Sequence, residues 1–219
     1  ESMGTNVLLV IPISTTHTAT KGTTGTITLT VEDALAIEKE CSAVSYVSPG
    51  VRTTAQTVYG NQNWTTFVSG VGTHYQVIRN WPVESGRFIA QKDVTAMAKV
   101  CVLGQTVVAN LFGNLDPLDK WIRVKNIPFK VVGVLSAKGE SATGQDQDDM
   151  ILMPYTTVQR KIMGVTYIGI VFASSISAND RFEAIKQITT VLRQRHRLRP
   201  KEENDFTVVS QLEFAATIL

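Results

Sequence analysis

Cysteine, charge and long apolar runs are all scarce in this sequence of 219 residues. Its two cysteines, Cys41 and Cys101, are too few for a disulfide framework in a chain of this length, and we interpret both as small buried hydrophobic residues. No run of about twenty apolar residues occurs, so the sequence predicts no membrane-spanning helix within it. The formal net charge is only +2, which gives no support for a nucleic-acid-binding protein with a strongly basic face.

The hydrophobic content, in contrast, is high enough to form a substantial core. Hydrophobic residues make up 43% of the chain and charged residues only 18%. This composition is typical of a folded chain and unlike that of a disordered one. The length allows one large domain or two small ones.

The chain opens and closes with similar strand–helix–strand patterns. The apolar run over 7–13 predicts a buried strand, and Thr30 can cap the helix that follows it. Near the end, a predicted strand over 167–173 precedes a predicted helix over 178–195, and a last strand is predicted over 205–210. We expect the first and last segments to fold together.

The middle of the chain is rich in predicted strands. A long strand over 44–58, with a break at 48–50, and a returning strand over 64–70 form a predicted hairpin, and a turn is predicted over 84–88. Four more strands are predicted over 99–103, 121–124, 129–135 and 150–153, and three helices over 73–79, 104–112 and 155–163. The whole pattern predicts an α+β architecture with two subdomains.

An acidic loop between two of these strands is the main candidate site. Its residues are Gly144, Gln145, Asp146, Gln147, Asp148 and Asp149. Carboxylates in such a loop can coordinate a hard cation, dock a partner or fix backbone turns through their own hydrogen bonds. The spacing does not match an EF-hand loop. The structural interpretation is therefore favoured over docking, and docking over metal binding.

No catalytic constellation is visible in the sequence. The histidines His17, His74 and His196 do not share metal-ligand spacing, and no Ser or Cys lies in a Gly-x-Ser-x-Gly elbow. The glycine-containing segment 22–25 is not followed by the Lys-Ser/Thr pair of a phosphate-binding loop. The sequence therefore predicts no catalytic, cofactor-binding or metal-binding residue.

The basic run over 193–201 has no interleaved aromatic residues, which a nucleic-acid surface would require. We interpret it as a solvated helix end, because cations near a helix C-terminus interact favourably with the helix dipole. It can also face anionic headgroups or an acidic partner. The tryptophans Trp64, Trp81 and Trp121 are spread along the chain, and packing is the expected role for them.

Ten segments of the sequence, taken together, resemble the periplasmic core domain of MacB-like ABC transporter permeases. In the order of that family they are GTNVLLVIP, LTVEDALAI, VSYVSPGV, VYGNQNW, RNWPVESGRF, VCVLGQTVVANLFG, IRVKNIPFKVVGVLSAKG, GQDQDDMILMP, LRQRHRL and NDFTV. They extend from about residue 4 to about residue 210. The most specific are GQDQDD with the strand and Pro that follow it, VLGQTVVANLFG and LRQRH.

The resemblance implies a domain organisation and a place in the cell. It implies a discontinuous Porter-like subdomain of strand-helix-strand units over 4–86 and 161–212, and an inserted, strand-rich Sabre-like subdomain over 87–160. From their own composition, residues 1–3 are expected to be a remnant of cloning. The domain is expected to face the periplasm from an inner-membrane protein. The apolar end over 211–219 agrees with this, and we expect membrane helices on both sides of the domain.

The resemblance also implies a non-catalytic function. In that family, ATP hydrolysis in a cytoplasmic ATP-binding domain is coupled to conformational change in the periplasmic domain. The expected partners are that ATP-binding domain, a periplasmic adaptor (membrane fusion) protein and, through the adaptor, an outer-membrane channel. The full-length protein is expected to be a homodimer, and no nucleic acid, cofactor or metal is implied. Two alternatives stay open, a stand-alone periplasmic metal-binding domain and a sensor domain, either of which would use the loop 144–149.

Overall fold

A computed structural model of the chain describes residues 6–13, 28–211 and 213. Its strands are β1 (Val7–Pro12), β2 (Val44–Tyr59), β3 (Gln62–Val71), β4 (Val83–Gly86), β5 (Val100–Leu103), β6 (Trp121–Val124), β7 (Ile127–Leu135), β8 (Met150–Pro154), β9 (Ile170–Ser175) and β10 (Phe206–Ser210). Its α-helices are α1 (Val31–Glu40), α2 (Tyr75–Arg79), α3 (Gln91–Thr95), α4 (Gln105–Leu111), α5 (Tyr155–Thr157) and α6 (Arg181–Arg195). A π-helical turn, Val158–Met163, follows α5, and a 3-10 turn, Ala178–Asp180, precedes α6. The segment 22–25 and His17 lie outside the described residues.

The described chain forms two compact units of mixed α and β structure, which confirms the predicted fold class. Unit 1 consists of the described residues up to Pro49 and from Tyr167 onward, and unit 2 of Gly50–Thr166. The predicted subdomain bounds, 4–86 with 161–212 and 87–160, stay a prediction, and the first division between the two compact units lies inside β2. The reason is the β2–β3 hairpin, whose register runs without a gap from Gly50 paired with Val71 to Tyr59 paired with Gln62. This ladder holds both arms of the hairpin in unit 2.

Unit 1 is a small antiparallel sheet with two helices packed on it. The strand order is β10-β1-β9-β2, and β1 pairs antiparallel with both β10 and β9. Leu8 and Val10 point to the same face of β1, because side chains alternate along a strand. They join Ile37 of α1 and Ile188 of α6 in one buried cluster. The predicted strand–helix–strand patterns at the two chain ends therefore build one core.

Unit 2 contains a closed ring of six strands. The order β2-β3-β8-β5-β7-β6 returns to β2, where Thr57 pairs with Val124 and Val58 with Arg123. Closing a sheet on itself leaves no unpaired edge within the ring, and β4 is added outside it on β7. The core cluster of this unit includes Val51, Val68, Cys101, Leu103, Val107, Leu111, Ile122, Phe129, Val131, Ile151 and Met153.

Three local predictions differ from the structure. The predicted break at 48–50 was wrong, because Pro49 lies just before the first β2–β3 pair and its missing N–H removes no bond from that ladder. The predicted turn over 84–88 is partly strand β4, although Gly86 has a φ of +76° and does turn the backbone. Helix α3 has only five residues and was not predicted.

None of the helices in the described part of the chain is both long and apolar enough to cross a membrane. This agrees with the absence of a long apolar run in the sequence. The helices of both units serve instead to bury apolar faces. In α1, for example, Ala34 and Ile37 are buried while Leu35 is half exposed. This is the pattern of a helix that packs one face on a core.

Candidate functional site

The acidic loop joins β7 to β8 in unit 2, and its carboxylates are engaged by donors of the same unit. Asp148, only 6% exposed, accepts hydrogen bonds from the backbone N–H of Lys138 at 2.7 Å and of Gly139 at 2.9 Å. Asp146 accepts one from the hydroxyl of Thr106 at 2.6 Å and one from the N–H of Asp148 at 2.9 Å. These bonds close the loop on itself and fasten it to α4.

Asp149 fastens the same loop to β3. Its Oδ1 atom accepts from the indole N–H of Trp64 at 2.8 Å and from the hydroxyl of Thr66 at 2.6 Å. Both donors point to the same side of β3, because they lie two residues apart. One of the three dispersed tryptophans is thus a hydrogen-bond donor to the loop as well as a packing residue, a role that sequence spacing did not reveal.

The start of α4 and the acidic loop are in direct backbone contact. Gly104 donates from its N–H to the carbonyl of Met150 at 2.9 Å, and Thr106 to the carbonyl of Asp148 at 3.3 Å. A Cβ atom on Gly104 would lie 2.1 Å from the carbonyl oxygen of Asp148, so no other residue fits without displacing the loop. The two segments GQDQDD and VLGQT are therefore parts of one interlocked structure.

The carboxylates of the loop do not converge on a common point. Asp148 faces two backbone amides, Asp146 faces α4 and Asp149 faces β3. In the described part of the chain, no group of three or more His, Cys, Asp or Glu side chains is placed to hold a metal ion. Asp146, Asp148 and Asp149 each accept hydrogen bonds within unit 2, and a structural role for the loop of Gly144, Gln145, Asp146, Gln147, Asp148 and Asp149 stays a prediction. A docking role stays a prediction.

A second polar cluster, centred on His196 in unit 1, was not predicted. The Nε2 atom of His196 lies 2.9 Å from Oδ2 of Asp33, and its Nδ1 atom lies 2.8 and 2.9 Å from the two carboxylate oxygens of Asp205. Arg195 donates from Nε to Oδ1 of Asp33 at 2.8 Å. Only 9% of the His196 side chain and 3% of the Asp33 side chain are exposed. We call these four residues the His196 clamp.

Local sequence explains how Asp33 enters the clamp. Thr30 and Asp33 form the capping box of α1, in which the N–H of Asp33 donates to the Thr30 hydroxyl and the N–H of Thr30 donates to the Asp33 carboxylate. This fixes the carboxylate at the first turn of the helix. His196 follows the last residue of α6, and Asp205 directly precedes β10. The clamp therefore ties α1, α6 and β10 together.

The clamp favours the protonated form of His196. Burial alone would lower the pKa of His196, but the hydrogen bonds to Asp33 and Asp205 outweigh burial and raise the pKa above its ordinary value. Burial would likewise raise the pKa of Asp33, yet its bonds to His196 and Arg195 lower it. A ring with both nitrogens bonded to carboxylates carries two N–H groups and is a cation. Neither nitrogen is then free to act as a general base.

The basic run at the end of α6 is only partly solvated, contrary to the expectation. Arg195 belongs to the clamp. Arg193 donates to the carbonyls of Glu202 and Arg199 and to the side-chain oxygen of Asn204. These bonds fold the chain back after α6 and direct it into β10. The run therefore has a role in the structure of unit 1.

The two cysteines are free and buried, as their interpretation as small hydrophobic residues requires. Cys41 belongs to the core of unit 1 and Cys101 to that of unit 2. Burial, with a smaller contribution from Glu40, raises the pKa of the Cys41 thiol to about 11, and burial raises that of Cys101 as well. Both thiols are thus protonated at neutral pH and unreactive.

Comparison with known sequences places these features in a family. The sequence model of the family described as "MacB-like periplasmic core domain" matches residues 1–191. A protein of Syntrophobacter fumaroxidans named macrolide export ATP-binding/permease protein MacB is 32% identical, with 99% of this chain and 38% of that protein covered. The protein of the same name from Chlorobaculum tepidum is 34% identical, with coverages of 98% and 33%. The chain thus spans about a third of the length of these relatives.

Solved structures give the same result. The periplasmic region of MacB from Actinobacillus actinomycetemcomitans superposes with a TM-score of 0.79 at 25% identity, covering 99% of this chain and 94% of that one. The extracellular domain of the noncanonic ABC-type transporter YknZ from Gram-positive bacteria shares the fold, with a TM-score of 0.76 at 17% identity and coverages of 93% and 100%. The resemblance found in the sequence is confirmed, and the chain belongs to the family of MacB-like periplasmic core domains of ABC transporter permeases.

Proposed function

We propose that this chain is the periplasm-facing module of an inner-membrane ABC transporter permease, and that it transmits motion and catalyses no reaction. The observation that carries the proposal, beyond family membership, is the pairing of β1 with β10. Leu8 pairs with Ser210, so the chain enters and leaves unit 1 side by side. Directly paired residues of antiparallel strands lie about 4.5–5.5 Å apart.

Such adjacent connections suit a domain that is held by two neighbouring membrane helices. Packed helices lie about 8–10 Å apart, which two adjacent strands can reach without long linkers. A movement of either helix would then act on β1 or β10 directly. Because β1 pairs with β9 on its other side, the movement would reach the next strand of unit 1 through backbone hydrogen bonds.

The His196 clamp supports the mechanical part of the proposal. Asp205, just before β10, is bonded to the residue that ends α6, and that residue is bonded to the first turn of α1. Hydrogen bonds between charged groups are stronger than neutral ones and hold defined geometries. A displacement of β10 would therefore move both helices of unit 1 with it.

The partners follow from the family and belong to the proposal. We infer that the full-length protein is a homodimer with a cytoplasmic ATP-binding domain, whose hydrolysis cycle drives the movement. We also infer that the periplasmic module engages an adaptor protein and, through it, an outer-membrane channel, in efflux or export. The relatives quoted above are named for macrolide export, and the same substrate class is the first to test.

Cysteine labelling in intact cells tests the location. The tip of the β2–β3 hairpin is exposed at Asn61, and the native thiols Cys41 and Cys101 are buried. In the full-length protein, Asn61→Cys should react with a maleimide that crosses the outer membrane but not the inner one. The full-length protein without this substitution is the matched control, and Asn61→Cys should be labelled more strongly than this control. Labelling of Asn61→Cys only after the inner membrane is broken would contradict a periplasmic location.

A further inference from the structure

Two cationic side chains of unit 2 lie beside one buried tyrosine, and a third lies beside one of those two. The ring of Tyr75 is only 4% exposed, and the Arg79 guanidinium is hydrogen-bonded to its hydroxyl, while the Arg52 guanidinium lies near enough to interact with it electrostatically. The Lys138 ammonium donates to the backbone carbonyl of Arg79 at 3.1 Å. The three cations come from β2, α2 and the segment after β7, so only the fold brings them together.

In the described part of the chain, these cations are not paired with carboxylates. Among the described residues, none of Arg52, Arg79 and Lys138 forms an ion pair, and the Nε atom of Arg79 is buried without a hydrogen-bond partner. Asp148 is the acidic side chain that acts on Lys138, but both of its oxygens are taken by backbone amides. A buried donor without an acceptor is costly unless a partner arrives.

Two of the cations each contact an aromatic ring. The Arg52 guanidinium lies 3.6 Å from the centroid of the Phe67 ring, and the Lys138 ammonium lies 4.7 Å from that of Trp81. Such contacts stabilise each cation individually. The positive charges of Arg79 and Lys138 still repel each other. Burial and the Arg79 guanidinium together lower the pKa of the Lys138 amine to about 8.

We propose that Arg52, Arg79 and Lys138 form a binding site for an oxyanion, a carboxylate or a phosphate group, beside the hydroxyl of Tyr75. Guanidinium groups bind both kinds of oxyanion through paired N–H donors, and an ammonium adds a point charge. The bound anion would accept a bond from the orphaned Nε of Arg79 and relieve the repulsion between Arg79 and Lys138. Arg52 is exposed and the other two are partly exposed, so the site is reachable from solvent.

Titration with inorganic phosphate and, separately, with acetate tests the site. In the complete chain, saturable shifts of the amide NMR signals of Arg79 and Lys138 are expected with at least one of the two anions. The anion that binds more tightly identifies the preferred chemistry. Because one charge-assisted hydrogen bond is worth about 1.5–3 kcal/mol, Arg52→Gln and Lys138→Gln should each weaken binding roughly tenfold or more.

Lys120→Gln is the matched control, because it removes one exposed positive charge from the same unit outside the cluster. It should leave the affinity unchanged. Arg52→Gln keeps the proposal testable if Lys138→Gln proves unstable, since Arg52 lies at the surface. Equal affinities in the control and in both cluster variants would overturn the proposal. Shifts that do not saturate with either anion would overturn it as well.

Discussion

His196 joins three elements of unit 1 through two carboxylates, and its charge decides how strongly it does so. The protonated ring gives each carboxylate an N–H donor. A neutral ring has only one N–H and turns a lone pair toward the other carboxylate. The contribution of the clamp to the stability of unit 1 therefore depends on pH. Buried groups of this kind are costly to break, because the remaining partner keeps its charge in a poorly solvated site.

The pKa shifts define the pH window of the clamp. The pKa of His196 is raised from 6.5, so its contribution to stability is complete below about pH 6.5 and is lost as the pH rises through the raised folded-state pKa. The pKa of Asp33 is lowered from 3.8, so its contribution is complete above about pH 4 and is lost as the pH falls through the lowered value. The clamp is thus strongest between about pH 4 and pH 6.5.

His196→Gln should reveal this dependence. Removing one member of a buried charged network costs about 3 kcal/mol, so the free energy of unfolding should fall by that amount near pH 6. As the pH rises through the raised pKa of His196, the difference from wild type should narrow, because the wild type then loses its charged ring. Urea unfolding across this pH range gives both values. Lys186→Gln, which removes an exposed charge from the same helix, should show no such narrowing.

A difference between wild type and His196→Gln that stays constant from pH 6 to pH 9 would contradict a charged clamp. The histidine would then contribute only through packing and neutral hydrogen bonds. Its edge-on contact with Phe206, at 6.0 Å between ring centroids, is the packing interaction that would remain as the explanation. Packing of this kind does not depend on the protonation of the ring.

At the scale of elements, the loop between β7 and β8 is ordered by carboxylates that replace missing backbone partners. Asp148 accepts the N–H groups of Lys138 and Gly139, which follow the end of β7. Asp149 and Asp146 connect the loop to β3 and α4. A loop with its polar groups paired in this way has few ways to move locally.

Asp148→Asn should loosen this loop. The side-chain NH2 group of the asparagine would face one of the two backbone N–H groups, and a donor cannot accept that hydrogen bond. The other backbone N–H would donate to a neutral oxygen and no longer to a charged one. Hydrogen exchange at the amides of Lys138 and Gly139 should therefore accelerate roughly tenfold or more. Asp119→Asn, which removes an exposed carboxylate from the same unit, should leave both amides unchanged. Unchanged exchange in Asp148→Asn would mean that the loop is held by other contacts.

Element patterns in the sequence predicted most of this fold because they depend on neighbouring residues. The capping box at Thr30 and Asp33 is local, and it was found as a helix start. The partner of Asp33, His196, lies 163 residues away, and no local pattern marks such a contact. The unbroken course of β2 past Pro49 depends on which strand pairs with it. The ring closure of unit 2 likewise depends on a contact between β2 and β6.

The candidate sites also differ in how far the sequence alone reveals them. The acidic loop was visible because its charged residues are consecutive, and its hydrogen bonds to Trp64 and Thr106 were not. The cation cluster of Arg52, Arg79 and Lys138 is dispersed over three elements and left no signal in the sequence. Assignment to the family needed neither the bonds of the acidic loop nor the cation cluster, because it depends on ten segments in a fixed order.

At the scale of the whole molecule, the proposed function depends on how the chain enters and leaves unit 1. Its first and last strands are neighbours, and the His196 clamp ties the last strand to both helices. A module attached in this way follows the movement of whatever holds β1 and β10. The proposed mechanism needs no catalytic residue, only a rigid path from the attachment points.

Distance measurement in the full-length protein, proposed above to be a homodimer, tests this claim most directly. Asn61→Cys can carry a nitroxide label on the exposed hairpin of unit 2, and the buried native thiols leave it as the reactive position in the described part of the chain. Pulsed EPR would compare the distance between the two labels without nucleotide and with ATP bound. If the periplasmic module transmits motion, ATP binding should shift this distance. Identical distance distributions in both states, in a preparation that hydrolyses ATP, would contradict it.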